Sequence, residues 1–178
     1  MMIREIAKGS SITRVYKFSD PDGEVCRLAQ SGAPIDLLLK LFTDKFIEVK
    51  VVEGNKFLNE GINHLWRLAR GDSGLTPFGS NSCIGVGDGA TPESAGQTGL
   101  LGENQLYKGM DTGYPTISAT SIIFQSTFGP NDANWTWYEW TVANGPGNDY
   151  INLNRKVENL GTKSSGATWI LQVTLTIT

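Results

Sequence analysis

Three stretches of this chain carry residues whose types and spacing could do chemistry. The first is Gly71-Asp72-Ser73-Gly74, a serine in the setting of a hydrolase nucleophile. Such a serine attacks only with a base beside it, usually histidine. The sole histidine is His64, nine residues upstream on a predicted helix. A turn that stops that helix explains the tetrapeptide, and no catalytic residue is expected. The second stretch is GVGDGA, residues 85–90, which fits the glycine spacing of a dinucleotide-binding loop. That loop must open a helix whose N-terminus holds the pyrophosphate. Here TPESAGQTGLLG follows, too rich in proline and glycine for a helix. A tight glycine turn is expected, with no cofactor. The third is the carboxylate set Asp20, Asp22, Asp88, Glu93 and Asp111. Paired acids can hydrolyse glycosides, and regularly spaced acids can bind calcium. No calcium-loop spacing is present, so these read as solvated turn acids and no metal site is expected. Cys26 and Cys83 lack metal or redox spacing and read as buried free thiols.

A further stretch, WTWYEW (135–140), is aromatic rather than reactive. Strict alternation puts Trp135, Trp137 and Glu139 on one face, and Thr136, Tyr138 and Trp140 on the other. Both faces then carry large rings. One meets the core, and the other meets a loop, a ligand or a neighbour. Rings of this kind stack on sugars. Interfaces also favour Trp and Tyr, and subunit contact is the stronger expectation.

These residues must be positioned mainly by strands. ITRVYKF (12–18), FIEVKVVE (46–53), SCIGVG (82–87), WTWYEWTVA (135–143), YINLNRKV (150–157) and TWILQVTLTIT (168–178) all read as strands. TISATSIIFQSTF (116–128) reads as one long strand with a bulge near Ser121. The turn Asp20-Pro21-Asp22-Gly23 predicts a hairpin, with EVCRLA (24–29) as the return strand. IDLLLKLF (35–42) fits strand or helix. One helix is predicted over about 56–70, with Asn55 as N-cap, Gly71 as C′, and a stripe of Leu58, Ile62, Leu65, Trp66 and Ala69. Residues 71–113 otherwise read as a glycine-rich loop, long enough to hold a function or an interface. The predicted fold is mainly β: an antiparallel β-sandwich or jelly-roll-like domain with one α-helix and long glycine-rich loops. Residues 1–54 would form an N-terminal β region or arm and residues 55–178 a helix plus the C-terminal β domain, unless both belong to one continuous domain.

Composition narrows the partners. Residues 71–150 hold eight acids and a single lysine, net −7. That argues against nucleic acid, which needs clustered cations. No apolar run long enough to span a membrane occurs, and MMIREIAKGSS lacks the apolar stretch of a signal peptide.

Residues 79–178 carry CIGVGDGATPESAGQTGLLGEN, TSIIFQSTFGPNDANWTWYEWTVANG, INLNRKV and KSSGATWILQVTLTIT, in that order. This order resembles a domain frequent in structural proteins of tailed bacteriophages. The resemblance covers a little over half the chain. Trp140 departs from it, standing where related chains often carry small residues. The resemblance implies a non-enzymatic virion component, assembled in the host cytoplasm, that acts as an auxiliary capsid decoration or cement protein. Its partners would be copies of itself, as a homotrimer, and the major capsid protein. The alternative is a tail, neck, baseplate or fibre component that binds host-surface carbohydrate through Trp135, Trp137, Tyr138 and Trp140. Trp169, Leu101, Leu106 and Tyr107 join these four as candidate contact residues. The 88–113 loop and the N-terminal arm would be the contact elements.

Overall fold

The computed structural model describes residues 9–177. The chain is mainly β, with two antiparallel five-stranded sheets. The first contains β1 (Gly9–Ser19), β2 (Phe46–Glu53), β6 (Thr116–Ser118), β7 (Ser121–Phe128) and β10 (Ala167–Ile177), in the order β2-β1-β10-β7-β6. The second contains β3 (Lys56–Phe57), β4 (Cys83–Gly87), β5 (Gln105–Gly109), β8 (Thr136–Ala143) and β9 (Asn154–Thr162), in the order β3-β9-β8-β4-β5. Three helices are described: α1 (Glu24–Gln30), α2 (Ile35–Leu41) and α3 (Asn59–Arg70).

The long last strand, β10, is the centre of its sheet. It pairs with β1 from Ala167 to Ile177 and with β7 from Trp169 to Thr176. Strands from both sides of residue 54 thus lie in one sheet. Trp169, Leu171, Val173 and Leu175 point into a cluster shared with Ile84, Val86, Trp137, Trp140 and Val142 of the second sheet. Ile170, the residue that breaks the alternation, packs in a second cluster. There it meets Phe18, Val25, Ala29 and Leu38 beneath α1 and α2. The outer face of β10 is therefore apolar only where helices cover it.

Two local expectations are corrected and one open reading is resolved. EVCRLA is helix, not a hairpin return. The buried Asp20 carboxylate accepts the Val25 and Cys26 N–H groups at 3.1 and 3.0 Å, which ties down free donors of the first helical turn. It also accepts the Thr168 hydroxyl at 2.8 Å, which fixes α1 to β10. The segment 116–128 is a hairpin rather than a bulged strand. Ser118 faces Ser121 across a turn at Ala119-Thr120, with Ala119 at φ 52°. IDLLLKLF resolves to a helix over Ile35–Leu41, with Leu38 buried.

The third helix, predicted from about residue 56, starts at Asn59 because Lys56 and Phe57 pair with β9 as β3, and it stops as expected at Gly71, whose φ of 86° suits glycine. Its N-cap is Leu58, not Asn55. The helix buries Gly61 and His64, while Ile62, Trp66 and Ala69 of the predicted stripe are exposed. Gly61 explains this orientation. A Cβ there would lie 2.6 Å from Leu153 Cα and O and 2.8 Å from Asn152 O, all backbone atoms. Alanine normally gains about 1 kcal/mol over glycine within a helix. The clash outweighs that gain, because overpacking a closed contact costs about 1–3 kcal/mol. Gly61→Ala is therefore expected to lower the stability read by urea unfolding, against its helix propensity.

Candidate functional site

The glycine-rich segment surrounds a carboxylate. Glu139 of β8 and Arg155 of β9 are fully buried, with Arg155 Nε 2.7 Å and Nη2 2.6 Å from Glu139 Oε2. Glu139 Oε1 accepts the backbone N–H groups of Gly89, Leu101 and Gly102 at 3.2, 3.0 and 2.6 Å. Arg155 Nη1 donates to Thr91 O and Gln97 Oε1, both at 2.9 Å. The two charges thus organise the whole 88–102 segment. A Cβ on Gly87 or Gly89 would lie 2.6 or 2.4 Å from Glu139 Oε1. The GVGDGA spacing serves an anion after all, and the anion belongs to the chain itself.

A second network continues from this one. Tyr107 of β5 donates its hydroxyl to Asn148 Oδ1, and Asn152 Oδ1 lies 3.2 Å from the same hydroxyl. Asn148 Oδ1 also accepts the Leu100 N–H at 3.0 Å. Burial raises the Tyr107 hydroxyl well above its ordinary value. Asp88 accepts the Asn104 N–H and side-chain amide at 3.1 and 2.6 Å. His64 Nε2 lies 2.7 Å from Thr76 O and 3.3 Å from Asn144 Nδ2, which is a structural role. Ser73 sits exposed in the turn after α3, where Asp72 accepts from Arg67 and Arg70.

Asp111 is not a solvated turn acid. Its carboxylate accepts the Thr127 N–H at 3.1 Å, the Thr127 hydroxyl at 2.6 Å and the Gln125 amide at 3.1 Å. Burial pushes it up to about 6, against the lowering effect of these bonds and of Lys108. Lys163 lies under the 129–134 loop and donates to Gly129 O and Asn134 Oδ1 at 2.7 and 2.9 Å. Burial lowers it to about 8.

The structure does not bring the eight predicted contact residues together. Trp137, Trp140 and Trp169 are core residues. The β8–β9 register shifts between Trp137 and Glu139, so alternation fails there and Trp137 and Trp140 enter one cluster. Trp137 Nε1 donates to Ala133 O at 2.8 Å, and its ring meets Phe128 and Trp169 edge-on. Trp140 Nε1 donates to Thr13 Oγ1 at 3.1 Å. Lys17 Nζ lies 4.3 Å from the centroid of the Trp169 ring. None of these three rings is available to a sugar. Trp135 and Tyr138 are half-buried, as are Leu106 and Tyr107, and Leu101 is exposed beside the Glu139 network. The part of the predicted N-terminal arm before Gly9 lies outside the described residues.

The exposed apolar surface lies elsewhere. Trp66 is 70% exposed, Ile117 80% and Ile177 61%. A cleft of about 520 Å³ is lined by Phe57, Ile62, Leu65, Trp66, Ala69 and Ile177. An adjoining cleft of about 300 Å³ includes Ile117 and Ile122 and shares Phe57, Leu65 and Ile177 with it. The sequence placed Ile62, Leu65, Trp66 and Ala69 on one helical stripe without showing what that stripe faces. Only the close approach demanded by Gly61 reveals that it faces a cleft.

No family model, curated protein or solved structure matches this chain.

Two outcomes follow from the buried charges. Removing one partner of a buried pair typically costs about 3–5 kcal/mol. Glu139→Ala is expected to lose stability on that scale in denaturant unfolding, with new protease cleavage between residues 88 and 104. Asp111 should titrate near pH 6 in carboxyl-carbon NMR, not near its ordinary 3.8. Its folded value is raised, so its contribution to stability is full below 3.8 and is lost as pH rises through about 6.

Proposed function

We propose that this protein is a non-enzymatic structural component of a tailed-bacteriophage virion, and that it decorates or cements the capsid shell. The two sheets are read as the faces of an antiparallel sandwich of jelly-roll type. One observation carries the assembly part of this reading. Helix α3 turns Ile62, Leu65, Trp66 and Ala69 toward an open apolar cleft that continues to Ile177. A surface of this kind marks a contact with another macromolecule. An exposed Trp with an aliphatic surround has the composition of an interface anchor. The virion setting rests on the resemblance of residues 79–178. In this reading the partners are other copies of the chain, arranged as a homotrimer, and the major capsid protein. The tail or fibre alternative with sugar binding has less to use, because Trp137 and Trp140 are buried.

An epitope-labelled chain, expressed with the structural genes of its parent phage, tests the reading. The label should appear on the shell of purified particles. Trp66→Lys should reduce incorporation about tenfold or more, as expected for an interface anchor, with melting unchanged. A label confined to the tail would select the alternative, and a chain absent from particles would reject both.

A further inference from the structure

The edge strand β2 carries a pattern that neither the core nor the cleft explains. Among the described residues it pairs with β1 alone, which leaves its other edge open. Gly54 donates its N–H to Ser11 O at 2.9 Å, and Glu53 faces Ile12. Residues of an antiparallel ladder point their backbone groups alternately to either side. Val52, Lys50 and Glu48 therefore bond to β1. Val51 and Val49 present their N–H and C=O groups outward, up to the register shift beside Ile47. The side chains of Ile47, Val49 and Val51 are 59%, 43% and 52% exposed. An open edge with exposed β-branched residues is a template for another strand.

The sequence of that edge is complementary to itself. When two copies run antiparallel about Val49, Val49 faces Val49, Ile47 faces Val51, and Glu48 faces Lys50 twice. Outward backbone groups then meet outward backbone groups. A shift by one residue would break that match. A shift of the centre to Glu48 or Lys50 would put like charges opposite each other, which is destabilising. Glu48 already accepts from Lys17 at 2.7 Å, and its side chain remains 54% exposed, open to a second cation.

We infer that two copies of this chain join through antiparallel pairing of their β2 edges, centred on Val49, into one continuous sheet. The contact is isologous, the same patch on both partners. It goes beyond the assembly reading above and does not depend on a virion setting. It joins copies in pairs, so it can bridge neighbouring trimers but cannot build one.

Sedimentation equilibrium of the full chain tests it. The wild type should self-associate, and Val49→Lys, which places two cations at the axis, should weaken that association about tenfold or more. Glu48→Lys and Lys50→Glu should each weaken it alone, and an equimolar mixture should restore it, because every cation then faces an anion. Circular dichroism confirms folding, which matters for Glu48→Lys beside Lys17. Wild type that stays monomeric at its highest soluble concentration overturns the inference. So does Val49→Lys associating as the wild type does, or a folded pair of charge variants that fails to associate when mixed.

Discussion

The carboxylate of Glu139 sits where three backbone N–H groups and one guanidinium converge. Burying either charge alone would be costly, and burying both is tolerable only when the remaining donors and acceptors are satisfied. Arg155 Nη1 does so by reaching Thr91 O and Gln97 Oε1, while Nη2 relies on the ion pair alone, 2.6 Å from Glu139 Oε2 and with no aligned hydrogen bond. The 88–102 segment has no helix or strand of its own, yet its path is fixed at several points along its length. The glycines follow from this. The loop must come within van der Waals reach of a carboxylate and of the Asp88 side chain, and a Cβ at Gly89 or Gly102 would fill that space.

The same carboxylates account for the acidic middle of the chain. Asp88 holds Asn104, Asp111 holds Thr127 and Gln125, and Asp72 holds Arg67 and Arg70. Asp132 pairs with Lys108 and accepts the Gly129 N–H. These acids sit in loops and accept from neighbouring loops, from β7 and from α3, which fixes the loops to the elements beside them. Charge excess in this region reflects loop architecture more than any external field.

Strand positions were legible because period-two patterns survive wherever one face is buried. The terminal strand shows this at nearly residue resolution, and FIEVKVVE keeps the same alternation although only Val52 of it is buried. What failed had identifiable causes. EVCRLA alternates poorly in either period, and the signal that makes it helix is Asp20, four residues before its first residue. Tyr107 lay hidden in a loop reading because β5 is short and half-buried on both faces. The tryptophans of WTWYEW were assigned to opposite faces because alternation assumes an unbroken ladder, and the ladder is broken between Trp137 and Glu139. The Glu139–Arg155 pair was illegible because nothing in sequence separates a buried acid from an exposed one until the strands are aligned.

Much of the interior satisfies itself, with Ser82 Oγ and Asn154 Nδ2 among the buried exceptions, while parts of the surface lie uncovered. Tryptophan N–H groups in the core find Ala133 O and Thr13 Oγ1, and buried acids find backbone donors. By contrast, α3 leaves an apolar stripe over a cleft, because Gly61 holds the helix by its other face. The first sheet ends on β2, where exposed Ile47, Val49 and Val51 flank Glu48 and Lys50. Exposed valines alone would invite any strand, and natural edges are usually blunted against that. A register-specific charge pair restricts the invitation to a strand of matching sequence. The nearest such strand is the one carried by another copy of the same chain.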